Sequence, residues 1–272
     1  MRQKYLDVNG IKTFYYESKD HGNPVVMVHG TSSSSSVFIR QLIDSILSYQ
    51  FRIIAFDLVG HGKTEYSKNP EKDYTLKGQS QFLIDFCNVL GIKNAVFAGH
   101  NTGGNIILEA YSKLDNPRGI VLLSSAPIQN PFKNELFQKL DSIGLLAKPG
   151  VDDSEVHQIA ASFVEKGTAY PDFIPDLIRN ADLKTREFLF KSIYNGDFND
   201  QIGILKAIKQ QIAVYYGEYD QVIDFDYVNS LDIPLLWRNL VQIIRNSGHL
   251  FFYECPADFN ISFEAYLNTI FL

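Results

Sequence analysis

The sequence predicts an α/β fold: a mostly parallel, eight-stranded sheet flanked by helices, with a block of helices inserted late in the chain. Three observations carry this. Short, continuous apolar runs alternate with stretches of helical periodicity over residues 24–125, as strands buried on both faces and joined by helical crossovers do. The rhythm stops over residues 130–208, which read as amphipathic helices, and resumes at residue 211. A glycine-rich strand-to-helix turn, Gly99-His100-Asn101-Thr102-Gly103, sits in the middle of the alternation.

Taken in order, residues 4–8 and 13–18 read as two strands joined by Asn9-Gly10, a strong hairpin signal because both turn positions need positive φ. Residues 24–29 and 52–58 are the next two strands, the first ending in His29-Gly30-Thr31 and a serine run, Ser32 to Ser36. Residues 75–90 have helical periodicity, 94–100 form the central strand, 103–114 a helix, and 119–125 another buried strand. Helices follow at 135–146, 153–166, 173–178 and 183–194, broken by Pro149-Gly150, Pro171 and Asn195-Gly196. Strands at 211–216 and 240–244 and a helix over 256–267 close the chain. The expected division is a core of residues 1–129 and 209–272 and a helical cap, or lid, of residues 130–208. Phe132, Leu136, Phe137, Leu145, Leu146, Phe163 and Phe173 form the cap's own core, and a few of them line an apolar pocket above the central turn.

Composition narrows the function. A 272-residue chain buries roughly three quarters of its unfolded surface and needs no staples. The net charge of −6 argues against nucleic acid or an anionic membrane as partner. Cys87 and Cys255 are the two cysteines, placed in or beside helices, and read as reduced packing residues. No run approaches membrane-spanning length and the first residues have no apolar signal core, so the cytoplasm is the expected location. Gly62-Lys63-Thr64 ends like a phosphate loop, but the glycine such a loop needs is Asp57, so a nucleotide site is rejected. No histidine or cysteine has metal-ligand spacing, and no cofactor is implied.

The chemistry gathers at strand ends. Gly99-x-Asn101-x-Gly103 has the form of a nucleophile elbow, in which a strained turn lifts the middle side chain above the sheet at a helix N-terminus. Here that residue is Asn101, a neutral amide and a poor nucleophile. Asp220 and His249 follow, each on the loop after a strand, where functional groups of open parallel sheets collect. Asp220 would orient the His249 imidazole, which would act as general base and then general acid. The backbone N–H groups of Thr31 and Thr102 would form the oxyanion hole. Ser32, Phe132 and Trp237 are the candidate substrate-binding residues. His29 and His100 read as loop supports, and His21, His61 and His157 have no comparable context.

His29-Gly30, Asp57-x-x-Gly60-x-Gly62, Gly99-x-Asn101-x-Gly103-Gly104, Gly217-x-x-Asp220-x-Val222 and Gly248-His249 together resemble the α/β-hydrolase superfamily over essentially the whole chain. A narrower resemblance, to N-acyl-homoserine lactonases of the α/β-hydrolase type, rests on residues 29–34, 57–63, Ser125-Ala126-Pro127, Leu236-Trp237 and residues 246–249. It implies a small ester or lactone ligand, first an N-acyl-homoserine lactone, with its acyl tail under the lid; the oligomeric state stays open. Members that cleave esters carry serine at the elbow, and those that open epoxides or displace halide carry aspartate. Three readings of Asn101 therefore stand side by side. It replaces the serine of a Ser-His-Asp hydrolase and leaves an inactive form. It replaces the aspartate of a dehalogenase or epoxide hydrolase, although the tryptophans of halide-binding members are missing beside Thr102. Or it marks a non-catalytic ligand-binding pseudo-hydrolase or sensor.

Overall fold

The computed structural model describes residues 1–133 and 141–272. Its sheet starts from the hairpin β1 (Arg2–Val8) and β2 (Ile11–Glu17), with Asn9 and Gly10 at φ 53° and 83° as a two-residue turn of this hand requires. The remaining strands are β3 (Asn23–Val28), β4 (Phe51–Phe56), β5 (Val96–His100), β6 (Gly119–Leu123), β7 (Ile212–Gly217) and β8 (Gln242–Ile244). The order across the sheet is β1-β2-β4-β3-β5-β6-β7-β8. β2 runs antiparallel to β4, and every pairing from β4 to β8 is parallel. β5, β6 and β7 are buried along their whole length, which explains their unbroken apolar sequences.

Helices cover both faces. Helix Leu76–Val89 starts where the Thr75 side chain accepts the Gly78 N–H, and it packs Phe86 against Phe56 of β4 with ring centroids 4.3 Å apart. Helix Thr102–Ala110 follows β5 directly and is buried at nearly every residue. It is shorter than the expected 103–114, giving way to a 3-10 turn at Tyr111–Lys113. The last helix, Pro256–Phe271, runs four residues beyond its expected end, and β8 starts only at Gln242.

Between β6 and β7 lies the inserted helical segment: Asp141–Ala147, Asp153–Ser162, Phe173–Asn180, Leu183–Tyr194 and Gln201–Ala207. The expected start of the first of these at residue 135, with Leu136 and Phe137, lies outside the described residues. Helix Asp153–Ser162 opens on a capping box between Asp152 and Glu155 and ends four residues before the expected 166. The reason is competition for its backbone. The Phe163 carbonyl accepts the Leu250 N–H at 2.8 Å, the Val164 carbonyl accepts from the Gln221 amide at 2.8 Å, and the Glu165 N–H donates to Glu254 at 2.9 Å. The insertion has its own anchor in Arg186, which is fully buried. Its guanidinium donates to the Lys148 and Ile178 carbonyls, at the C-terminal ends of two cap helices, where helix dipoles favour a cation. No helix among the described residues is long and apolar enough to cross a membrane.

The helix after β5 approaches the neighbouring strand closely. A Cβ on Gly103 would lie 2.2 Å from the Val28 carbonyl oxygen. Gly103→Ala should therefore push the helix off the sheet and cost roughly 1–3 kcal/mol, read as a lowered midpoint in urea unfolding.

Candidate active site

β5 ends at His100, and Asn101 turns the chain into the helix at φ 52° and ψ −125°. A non-glycine residue held there stores about 1–3 kcal/mol of backbone strain, and asparagine tolerates positive φ better than most side chains. The turn places the Asn101 side chain above the carboxyl edge of the sheet. Gly30, at the end of β3, leaves it room: a Cβ on Gly30 would lie 2.8 Å from the Asn101 Cβ.

Two more strand-end loops reach the same point. After β7, Asp220 accepts the Val222 and Ile223 N–H groups at 2.8 and 3.1 Å, which fixes its carboxylate. After β8, His249 brings Nδ1 to 3.0 and 2.9 Å from the two Asp220 oxygens, with both side chains buried. Burial alone would push the Asp220 carboxyl up, but the neighbouring His249 ring and the hydrogen bonds outweigh it and hold the group below the usual carboxylate range. His249 Nε2 stands 2.9 Å from Asn101 Nδ2, so the amide N–H donates to a ring whose Nδ1 proton is held by Asp220. The structure thus brings Asn101, Asp220 and His249 into one hydrogen-bonded chain.

The His249 loop is braced from three sides. Glu254 accepts the Gly248 and Glu165 N–H groups at 2.9 Å each, joining the loop to the cap. His100 lies against the His249 ring and donates from Nε2 to its carbonyl at 3.1 Å. Phe163 of the cap covers the other side, with ring centroids 5.6 Å apart. His29 plays the loop-supporting part: its Nε2 accepts the Leu58 N–H at 3.0 Å while Nδ1 lies 2.7 Å from the Gly30 carbonyl.

The two backbone donors nominated for the oxyanion hole, on Thr31 and Thr102, are both at the site and both engaged within the protein. The Thr102 N–H donates to Asn101 Oδ1 at 2.7 Å, and the Thr31 N–H donates to Thr102 Oγ1 at 2.8 Å. Above them is a cavity of about 40 Å³. Its walls are mostly apolar and include Phe132, Leu146, Phe163, Phe190 and Ile193 from the segment between β6 and β7, with Ile128 and Ile223. No group of three metal-ligating side chains occurs among the described residues.

Two expected substrate-binding residues lie elsewhere. Trp237 precedes β8 at the opposite end of the sheet, where Leu236 bridges Ile212 at the start of β7, and it packs against Tyr215 and Tyr266. Ser32 has φ 58° and is 1% exposed, so its side chain is turned into the protein and does not line the cavity. Phe132 does line it, edge-on to Tyr194 at 5.4 Å. Of the other cap residues named from sequence, Leu146 and Phe163 reach the cavity, whereas Phe173 packs on Tyr253. Sequence reasoning did not find Asn105, Phe190 or Ile193. Asn105 was open to discovery as the residue one helical turn beyond the elbow; the two cap residues had no comparable signal.

Fold and site together define a protein with the α/β-hydrolase fold. Comparison with known proteins agrees. The family profile described as alpha/beta hydrolase fold matches residues 23–146. The AB hydrolase superfamily protein YisY of Bacillus subtilis is 24% identical over 97% of this chain and 99% of its own length. The 2-hydroxy-6-oxo-6-(2'-aminophenyl)hexa-2,4-dienoic acid hydrolase of Metapseudomonas resinovorans is 26% identical, covering 94% of this chain and 88% of its own length. Among solved structures, a mutant of the N-acyl homoserine lactonase AidH complexed with N-hexanoyl homoserine lactone superposes with a TM-score of 0.94. It is 25% identical, and the match covers 100% of this chain and 99% of that one. The esterase EaEST of Exiguobacterium antarcticum, at 19% identity and TM-score 0.77 over 98% of this chain and 100% of that one, shares the fold.

The buried histidines set a pH limit on this arrangement. Burial pushes His29 down to about 4 and His61 down to about 3. Their unfolded-state value is near 6.5, so the unfolded chain binds more protons below that pH. The stability they contribute is fully present above about pH 6.5 and lost as pH falls through that value toward 4. Thermal midpoints measured from pH 7.5 to 4 should fall in this window, and His29→Gln should flatten the slope while lowering the midpoint at neutral pH.

Proposed function

We propose that the chain is a hydrolase of small esters or lactones by lineage, with an N-acyl-homoserine lactone as its first candidate ligand, in a form that binds without efficient turnover because Asn101 occupies the nucleophile position. The carrying observation is the placement of a buried Asp220–His249 pair 2.9 Å from the Asn101 side chain, beneath a cavity with mostly apolar walls. In such a dyad the imidazole takes a proton from a hydroxyl and returns it to the leaving group. An amide in that position offers no attacking electron pair of comparable strength. Complexes of AidH with N-hexanoyl homoserine lactone and N-butanoyl homoserine, on a superposable backbone, support a ligand of that class here.

In this reading the cap is residues 130–208, and Thr31 and Thr102 supply the oxyanion donors once a ligand carbonyl displaces the internal acceptors.

A second reading has one observation in its favour. Asn101 Oδ1 already accepts the Thr102 N–H, as one oxygen of a nucleophilic aspartate would. Trp237, the single tryptophan, is at the far end of the sheet, so a halide would find no indole N–H here.

Substitution at residue 101 separates these. Removing a triad serine costs on the order of a millionfold in turnover, and the oxyanion hole and binding still leave roughly a thousandfold over water. Asn101→Ser should therefore create lactone or p-nitrophenyl ester hydrolysis that the unaltered chain shows only in trace. Turnover by the unaltered chain within tenfold of Asn101→Ser would overturn the proposal. Activity appearing only in Asn101→Asp, on an epoxide or haloacid, would move the protein to the aspartate branch. In the serine background, adding Asp220→Asn should lower kcat by about 10⁴, since the imidazole loses its orienting partner.

A further inference from the structure

Asn105 stands one turn beyond Asn101 on the same helix; it is 7% exposed and lines the cavity. Its amide orientation is dictated by Gln201, which is fully buried. Gln201 Oε1 accepts the Ile128 N–H at 3.1 Å, and Gln201 Nε2 donates to the Asn105 carbonyl at 3.2 Å. Backbone groups on both sides therefore fix which end of the Gln201 amide is oxygen. Asn105 must turn its NH₂ toward that oxygen, at 2.8 Å, and the same nitrogen donates to the Ala126 carbonyl at 2.8 Å. With both amide protons committed, Oδ1 remains as an acceptor that has no partner among the described residues. It is not among the fully enclosed polar atoms, so it keeps accessible surface, and the surface this residue has is cavity wall. A ligand that covers this acceptor and offers no donor leaves it unpaired at a cost, whereas a ligand donor satisfies it.

We infer that Asn105 Oδ1 is a specificity-determining acceptor for the acyl arm, selecting ligands that carry a hydroxyl over those that carry a keto group or a plain methylene. The inference rests on the reading of the site as one for small esters or lactones. Four helical residues rise about 6 Å, so a ligand carbonyl at Asn101 sets Asn105 beside an atom about that far along the arm. In an N-acyl lactone the amide N–H is two bonds from the ring carbonyl, too near to serve. The third carbon of the acyl arm is five bonds away and fits. A hydroxyl there donates to Oδ1, a methylene leaves Oδ1 unpaired, and a keto oxygen sets two acceptors against each other.

Because the chain as written should bind without turnover, the test is equilibrium binding by titration calorimetry to three probes: N-hexanoyl, N-(3-hydroxyhexanoyl) and N-(3-oxohexanoyl) homoserine lactone. The hydroxyl compound should bind roughly fivefold tighter than the unsubstituted one, and the keto compound more weakly than either. Asn105→Leu, checked for folding by its melting curve, should abolish the hydroxyl preference, bringing the ratio of the hydroxyl to the unsubstituted affinity to about one. If that variant fails to fold for want of its Gln201 bond, the comparison of three probes on the unaltered chain decides alone. Equal binding of the three, or preference for the keto compound, overturns the role of Asn105 and leaves the lactone reading standing. No binding by any probe removes the lactone reading and this inference with it.

Discussion

The near-contact between the helix after β5 and the strands beneath it governs the rest of the molecule. Gly103 sits against the Val28 carbonyl and Gly99 against the backbone of Gly103 and Gly104, with no space for a methyl group at either position. That closeness forces the sharp turn at Asn101, and the turn forces its φ of 52°. The strain is held because β5 lies between β3 and β6, hydrogen-bonded on both sides and wholly buried. Everything chemical here is referred to that fixed point.

The loops after β7 and β8 are aimed at it by hydrogen bonds, not by packing alone. Asp220 is locked by two N–H groups of its own loop, and His249 by Asp220, His100 and the Glu254 bridge. Glu254 also holds Glu165, so the inserted helical segment and the histidine loop share one carboxylate. Burial pushes that carboxyl up, and the two N–H donors counter it. The inserted helices and the imidazole are thereby linked through this half-buried carboxylate.

An amide at the elbow changes the electrostatics of the site as well as its reactivity. A serine hydroxyl would leave the Thr102 N–H open toward a ligand, whereas Asn101 Oδ1 takes it, and Thr102 Oγ1 takes the Thr31 N–H. The two N–H groups proposed as oxyanion donors thus rest in internal hydrogen bonds, which a ligand carbonyl would have to displace. Asn101 is accommodated without an unsatisfied polar atom: its oxygen and its nitrogen both have partners.

By itself the sequence determined the alternation of strands and helices, the Asn9-Gly10 hairpin, the inserted helical segment and the order of Asn101, Asp220 and His249, because these depend on local periodicity and on residues at strand ends. It also determined that the elbow residue is an amide. Only the tertiary structure decided the rest, and the reason is distance along the chain. Helix Asp153–Ser162 stops early because Gln221, Leu250 and Glu254 claim the backbone beyond it. Trp237 looked like a pocket residue beside Leu236, but the bridge from Leu236 to Ile212 puts it at the wrong end of the sheet. Ser32 turns inward at a φ of 58°, which a serine run does not reveal. The Asn105 acceptor exists only because Gln201, 96 residues away, fixes the direction of its amide. Local pattern sets which elements form; partners remote in sequence set where they end and which atoms face the ligand.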